Sequence, residues 1–97
     1  MGTQDPAGES VLSAPEHVFV RKAGDETVLL NLRTEHYYGL EGVGARFWEL
    51  VEAQTTFGDA VEVLQSEYHV AADTVRSDLL ALSSDLRKNG LLLVDGA

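Results

Sequence analysis

From His17 onward the chain falls into short apolar runs separated by polar reversals. His17-Val18-Phe19-Val20-Arg21 is followed by Ala23-Gly24-Asp25-Glu26 and then by Thr27-Val28-Leu29-Leu30-Asn31-Leu32, the order strand, turn, strand, with Gly24-Asp25 as the turn. A second reversal near Arg33-Thr34-Glu35 leads into His36-Tyr37-Tyr38-Gly39-Leu40, rich in residues that suit a pleated sheet. Three short strands in succession predict an antiparallel meander whose last strand is an edge. Tyr37 and Tyr38 are neighbours on that strand, so one of them must leave the face that meets the helices.

After Gly42 and Gly44 the period changes to helical. Phe47, Trp48, Leu50 and Val51 make an apolar stripe over residues 45–53, with Glu49 and Glu52 on the wet side. Thr56-Phe57-Gly58-Asp59 resembles a capping box with Asp in place of Glu, and Ala60, Val61, Leu64 and Tyr68 follow at helical spacing. Asp73 or Thr74 is expected to cap a third helix, in which Val75, Leu79, Leu82 and Leu86 recur every three or four residues until Asn89-Gly90 ends it. Leu91 to Val94 reads as a short extended tail.

Strands first and helices afterwards exclude a parallel α/β sheet, which needs crossover helices between its strands. The expected architecture is α+β and winged-helix-like: a three-stranded antiparallel sheet followed by three helices. Residues 1–15 mix Gly, Ser, Pro and acids without apolar periodicity and are expected to be a flexible N-terminal segment, leaving 16–97 as the folded domain.

Composition narrows the function classes. Sixteen acidic against seven basic residues give a formal charge of -9, which opposes phosphate backbones and argues against nucleic acid as a partner. The chain has no cysteine, so thiolate metal sites and a cysteine nucleophile are excluded. No apolar stretch approaches the roughly 20 residues that span a bilayer, and the polar start lacks the parts of a signal peptide. A cytoplasmic protein with no membrane association is expected.

Catalytic and cofactor signatures are sparse. Gly42-Val43-Gly44 has the look of the opening of a dinucleotide fingerprint, but Phe47 stands at the third glycine position and no parallel strand follows. A turn into a helix accounts for both glycines. His17, His36 and His69 lack the spacing of a zinc ligand set, and no serine sits in a Gly-x-Ser-x-Gly turn. Glu49, Glu52, Glu62 and Glu67 lie on outer helical faces as a solvated surface. Neither an enzyme nor a cofactor or metal site is expected.

One helical residue departs from a plain core stripe. On a wheel with Val75 at zero, Leu79, Leu82 and Leu86 lie within about 40°, whereas Leu80 lies near 140°, on the flank of Arg76, Ser83 and Arg87. A lone exposed leucine is unremarkable. Beside a sheet edge, however, an apolar centre with a polar rim is the arrangement used by proteins that accept a peptide as an extra strand.

Taken in order, Val28 to Leu32, Tyr37-Tyr38-Gly39-Leu40, Gly44, Trp48-Glu49-Leu50-Val51, Tyr68-x-Val70 and Leu86-x-x-x-Gly90-Leu91-Leu92 resemble the PqqD family over about residues 17–94. The resemblance implies a recognition element for the leader segment of a ribosomally made precursor peptide. It also implies that the leader lies antiparallel along the third strand, in a groove closed by the third helix. Carried onto this chain, the implied contacts are Leu30, Glu35, His36, Tyr37, Tyr38 and Gly39 on the sheet side and Arg76, Leu79, Leu80, Ser83 and Arg87 on the helix. The unfused acidic chain is most similar to the stand-alone leader-binding proteins of lasso-peptide clusters. That similarity implies a separate leader peptidase, a transglutaminase-like cysteine protease, and a cyclase as partners. A partner of a radical-SAM enzyme is the alternative within the family, and a winged-helix DNA-binding regulator the alternative outside it. Against the regulator, the third helix balances Arg76, Arg87 and Lys88 with Asp73, Asp78 and Asp85.

Overall fold

The computed structural model describes residues 6–95. In chain order the elements are β1 (Val11–Ser13), β2 (Val18–Ala23), β3 (Glu26–Asn31), β4 (His36–Glu41), α1 (Val43–Glu52), α2 (Phe57–Tyr68), α3 (Ala72–Lys88) and β5 (Leu93–Asp95). The meander expected from the sequence is present: β2, β3 and β4 pair antiparallel in that order, so β4 is an edge. Ala23 pairs with Glu26 across a two-residue loop whose first position, Gly24, takes φ 61°. Positive φ at that position suits a hairpin turn that matches strand twist.

Period-two alternation sorts the sheet into two faces. Thr27, Leu29 and Asn31 of β3 are buried, and their partners Leu40, Tyr38 and His36 share that face. Against it pack Phe47, Trp48 and Val51 of α1, with Leu64 of α2 and Val75, Leu79 and Leu86 of α3 completing one core. The opposite face carries the row Phe19, Leu30, Tyr37, in which Phe19 and Tyr37 are exposed.

Each helix end has a local cause. Gly42 enters α1 at φ 55°, ψ −125°, a region open essentially to glycine alone. At α2 the Thr56 hydroxyl accepts from the Asp59 amide at 3.2 Å, the expected cap. The expected cap of α3 is not formed. The left-handed His69 turns the chain within three residues, the helix starts at Ala72 with Ala71 as its cap residue, and Asp73 falls in the first turn, where its charge still suits the positive end of the helix dipole. Asn89-Gly90 ends α3 as a Schellman motif: the Leu91 amide donates to the Leu86 carbonyl at 2.8 Å and the Gly90 amide to that of Arg87 at 3.1 Å.

The N-terminal segment departs from expectation. Residues 1–5 lie outside the described residues, but 6–15 are built into the domain, with Leu12 wholly buried. β1 pairs antiparallel with β5. The first turn of α2 explains why: the Phe57 amide donates to the Ser10 carbonyl at 2.8 Å and the Gly58 amide to that of Gly8 at 2.9 Å. Two helix donors that would otherwise have no partner are thereby satisfied. Replacing Leu12 with Ala is expected to lower the unfolding free energy by about 2–5 kcal/mol, read by urea denaturation; an unchanged midpoint would mean that this segment is only a tether.

Candidate functional site

The open side of β4 presents a row of backbone groups to solvent, because alternate residues of an edge strand direct N–H and C=O away from the sheet. On the helix-facing side of this strand stand His36, Tyr38 and Leu40; on the other stand Tyr37, Gly39 and Glu41. The two tyrosines therefore point apart as the alternation requires, and Tyr37 is 74% exposed.

Helix α3 runs beside β4 in the opposite sense. The Tyr38 phenol crosses to it and donates to Asp85 Oδ2 at 2.7 Å. Further along, a Cβ on Gly44 would lie 3.3 Å from Leu40 Cδ2 and 3.8 Å from Leu82 Cδ2, so Gly44 permits the close approach of strand end, α1 and α3. A cleft thus lies between β4 and the α3 flank formed by Asp78, Leu82 and Asp85. Near the end of β4 it opens into a mainly apolar cavity of about 200 Å³ lined by Val43, Gly44, Leu64, Val75, Leu79 and Leu82, together with Asp78 and the exposed Tyr68 and Val70. Near the start of β4 it opens into a polar cavity of about 520 Å³ that includes His36, Arg33 and Lys88.

Arg76, Leu80, Ser83 and Arg87, expected on the helix side of the site, lie on a different flank of α3 from the one beside β4. The Arg76 guanidinium lies 5.9 Å from the centre of the Phe57 ring, at the start of α2, and Leu80, Ser83 and Arg87 share that flank of the wheel. The flank turned to β4 is the opposite one. Leu80 is half-buried against the core, and Ser83 is fully buried with no hydrogen-bond partner for its hydroxyl among the described residues. Leu79 is 1% exposed and reaches a ligand only through the wall of the apolar cavity. On the sheet side, Leu30 belongs to the central strand on the outer face, beside Tyr37 and away from the cleft. Glu35 lies in the β3–β4 turn at φ 63°. His36, Tyr38 and the backbone through Gly39 stand at the cleft. The position of Asp78, Leu82 and Asp85 beside β4 was not legible because a wheel shows which residues leave the core axis but not which neighbour lies on each side. The −20° position of Leu82 gave it to the core, and the two aspartates entered only as charges balancing Arg76, Arg87 and Lys88.

Electrostatics distinguish Tyr38. Partial burial, then the hydrogen bond to Asp85 and its negative charge, push the phenol up to about 12 from an ordinary 10.0. Away from the cleft, Arg46 bonds Glu67 and Glu49, each at 2.9 Å, tying α1 to α2. Those carboxylates, Glu67 first, raise the guanidinium further, and Arg46 in turn holds Glu67 below its usual range. Among the described residues no group of three or more His, Asp and Glu converges as a metal site, and no helix is long and apolar enough to cross a membrane. What the cleft offers chemically is backbone pairing with an apolar pocket at one end and a cationic one at the other.

An α+β domain with an open sheet edge beside a helix is the form of a peptide-recognition module. The family described as coenzyme PQQ synthesis protein D (PqqD) matches residues 26–92, and the chain belongs to that family. Two solved structures are similar to it. One is TbiB1 in complex with the TbiA(beta) leader peptide, at 35% identity and TM-score 0.77, covering 81% of this chain and 93% of that one. The other is a lasso peptide synthetase B1 complexed with the leader peptide, at 26% identity and TM-score 0.77, covering 84% and 96%. No curated protein matches the chain.

The raised Tyr38 value carries a sign. The folded state holds this proton more tightly than the unfolded chain, so the contribution to stability is complete below about pH 10 and is lost as pH rises toward about 12. Denaturation midpoints are therefore expected to fall more steeply between pH 10 and 12 in the parent than in a Tyr38→Phe variant; parallel curves would show that the phenol and Asp85 are not coupled.

Proposed function

We propose that the chain is a non-catalytic recognition element that binds the leader of a ribosomally made precursor peptide, in lasso-peptide biosynthesis, as an added strand on β4. The carrying observation is the open β4 edge facing the Asp78, Leu82 and Asp85 flank of α3. The leader complexes of the two similar structures support the same reading. Laid antiparallel to β4, the peptide runs from the apolar cavity toward His36. Backbone pairing supplies affinity without reading sequence, and the apolar cavity seats a nonpolar side chain near the peptide's N-terminal end. Tyr38, tied to Asp85, holds the strand and helix at a fixed separation.

Bound in this way, the leader is delivered in the cytoplasm to a separate leader peptidase, a transglutaminase-like cysteine protease, and to a cyclase. DNA is disfavoured as a partner: the α3 flank facing the cleft carries Asp78 and Asp85, and the whole chain bears -9. The peptide's own backbone provides the test. In an N-methyl scan of the TbiA(beta) leader peptide, read by fluorescence anisotropy, methylation is expected to weaken binding at every second position of the paired stretch, by at least about tenfold, or ~1.4 kcal/mol. A scan with no alternation would rule out strand addition.

A further inference from the structure

The polar cavity at the start of β4 stands apart from the rest of the surface in its charge. Its lining includes Arg33, Lys88, His17 and His36 and no acidic residue, in a chain with sixteen Asp and Glu against seven Lys and Arg. Three other basic side chains are used internally: Lys22 pairs with Glu52, Arg46 with Glu49 and Glu67, and Arg76 lies over Phe57. Among the described residues, neither the Arg33 guanidinium nor the Lys88 ammonium is held in an ion pair.

The end of α3 would ordinarily repel an anion, because its last carbonyls carry the negative end of the helix dipole. Here the two carbonyls that follow the helix are occupied. The Gly90 carbonyl accepts from His17 Nε2 at 2.8 Å and the Asn89 carbonyl from Asn31 Nδ2 at 2.8 Å. The nearest carboxylates in sequence are Glu16 and Glu35, both exposed beside His17 and His36, and Asp85, which accepts the hydrogen bond of Tyr38; none of the three lines the cavity. Arg33 and Lys88 in the lining are left to set the charge of the opening.

We infer that this cavity binds a carboxylate side chain of the bound peptide, on the C-terminal side of the strand-paired stretch. The inference rests on the strand-addition reading, which fixes the direction of travel: a peptide antiparallel to β4 passes His36 last and continues toward Arg33 and Lys88. Because His36 itself lines the cavity, the acid falls among the first residues beyond the position opposite His36. The two ends of the cleft thus read different chemistry, apolar first and acidic second, and together they set the register of a peptide whose backbone pairing alone would allow it to slide.

The probe is the TbiA(beta) leader peptide, with Asp, Asn or Lys placed in turn at each position following the stretch sensitive to N-methylation. Binding is measured by anisotropy to the parent, to Arg33→Glu/Lys88→Glu and to the milder Arg33→Gln/Lys88→Gln, with circular dichroism confirming each fold. At one of the first positions the parent is expected to prefer Asp over Lys by about fivefold, a preference weakened by added salt, reduced in the Gln variant and reversed in the Glu variant. If the unsubstituted peptide binds but Asp and Lys are equivalent everywhere, or the preference survives charge reversal unchanged, the carboxylate site is wrong and strand addition stands. If the unsubstituted peptide does not bind the parent at all, both readings fall.

Discussion

The carboxamide of Asn31, 3% exposed on the helix-facing side of β3, is used on both of its atoms. Its Oδ1 accepts from the Arg33 amide at 2.9 Å and the Thr34 amide at 3.2 Å, shaping the turn into β4, while its Nδ2 donates to the Asn89 carbonyl at 2.8 Å. A buried amide left without these partners costs about 1–3 kcal/mol for each unsatisfied group, so the turn and the end of α3 are held at one separation. Gly90 is needed for this join: it takes φ 69°, and a Cβ there would lie 2.9 Å from Asn31 Nδ2. The chain then drops into the core through Leu91 and Leu92 and returns as β5 beside β1. With β4 anchored at its start by Asn31 and braced midway by the bond from Tyr38 to Asp85, the cleft has fixed walls before any ligand arrives.

Much of this was legible in the sequence, for reasons that differ by element. The meander and the three helices follow from a change of hydrophobic period, and period is a property of sequence alone. The C-terminal stop at Asn89-Gly90 and the Thr56 cap follow from local chemistry and are found where that chemistry sits. The N-terminal strand was not legible, since three residues with one buried side chain, Leu12, carry no periodicity and its partners β5 and the start of α2 are distant in sequence. The site was half legible. Alternation put Tyr37 and Tyr38 on opposite faces, but the side of α3 that faces β4 depends on how the helix is laid across the sheet. The contacts of Tyr38 with Asp85 and of Gly44 with Leu82 reveal it only in three dimensions.

Charge and shape divide the work of such a cleft. An edge strand offers any peptide the same backbone pairing, and so the choice of peptide must come from what lies at its two ends. Here those ends differ, with apolar walls from Leu64, Leu79 and Leu82 at one and Arg33 and Lys88 at the other. The acidic remainder of the surface repels phosphate and leaves the cationic end as a local feature. Family membership and the leader complexes of similar proteins agree with a domain whose task is holding a peptide.

Amide hydrogen exchange followed by NMR, with and without the TbiA(beta) leader peptide, addresses the central claim most directly. Strand addition on β4 requires that alternate amides between His36 and Glu41 gain protection, while those of the other edge, Val18 to Ala23, keep their exchange rates. Protection appearing along β2 instead, or spread evenly without involving β4, would contradict it.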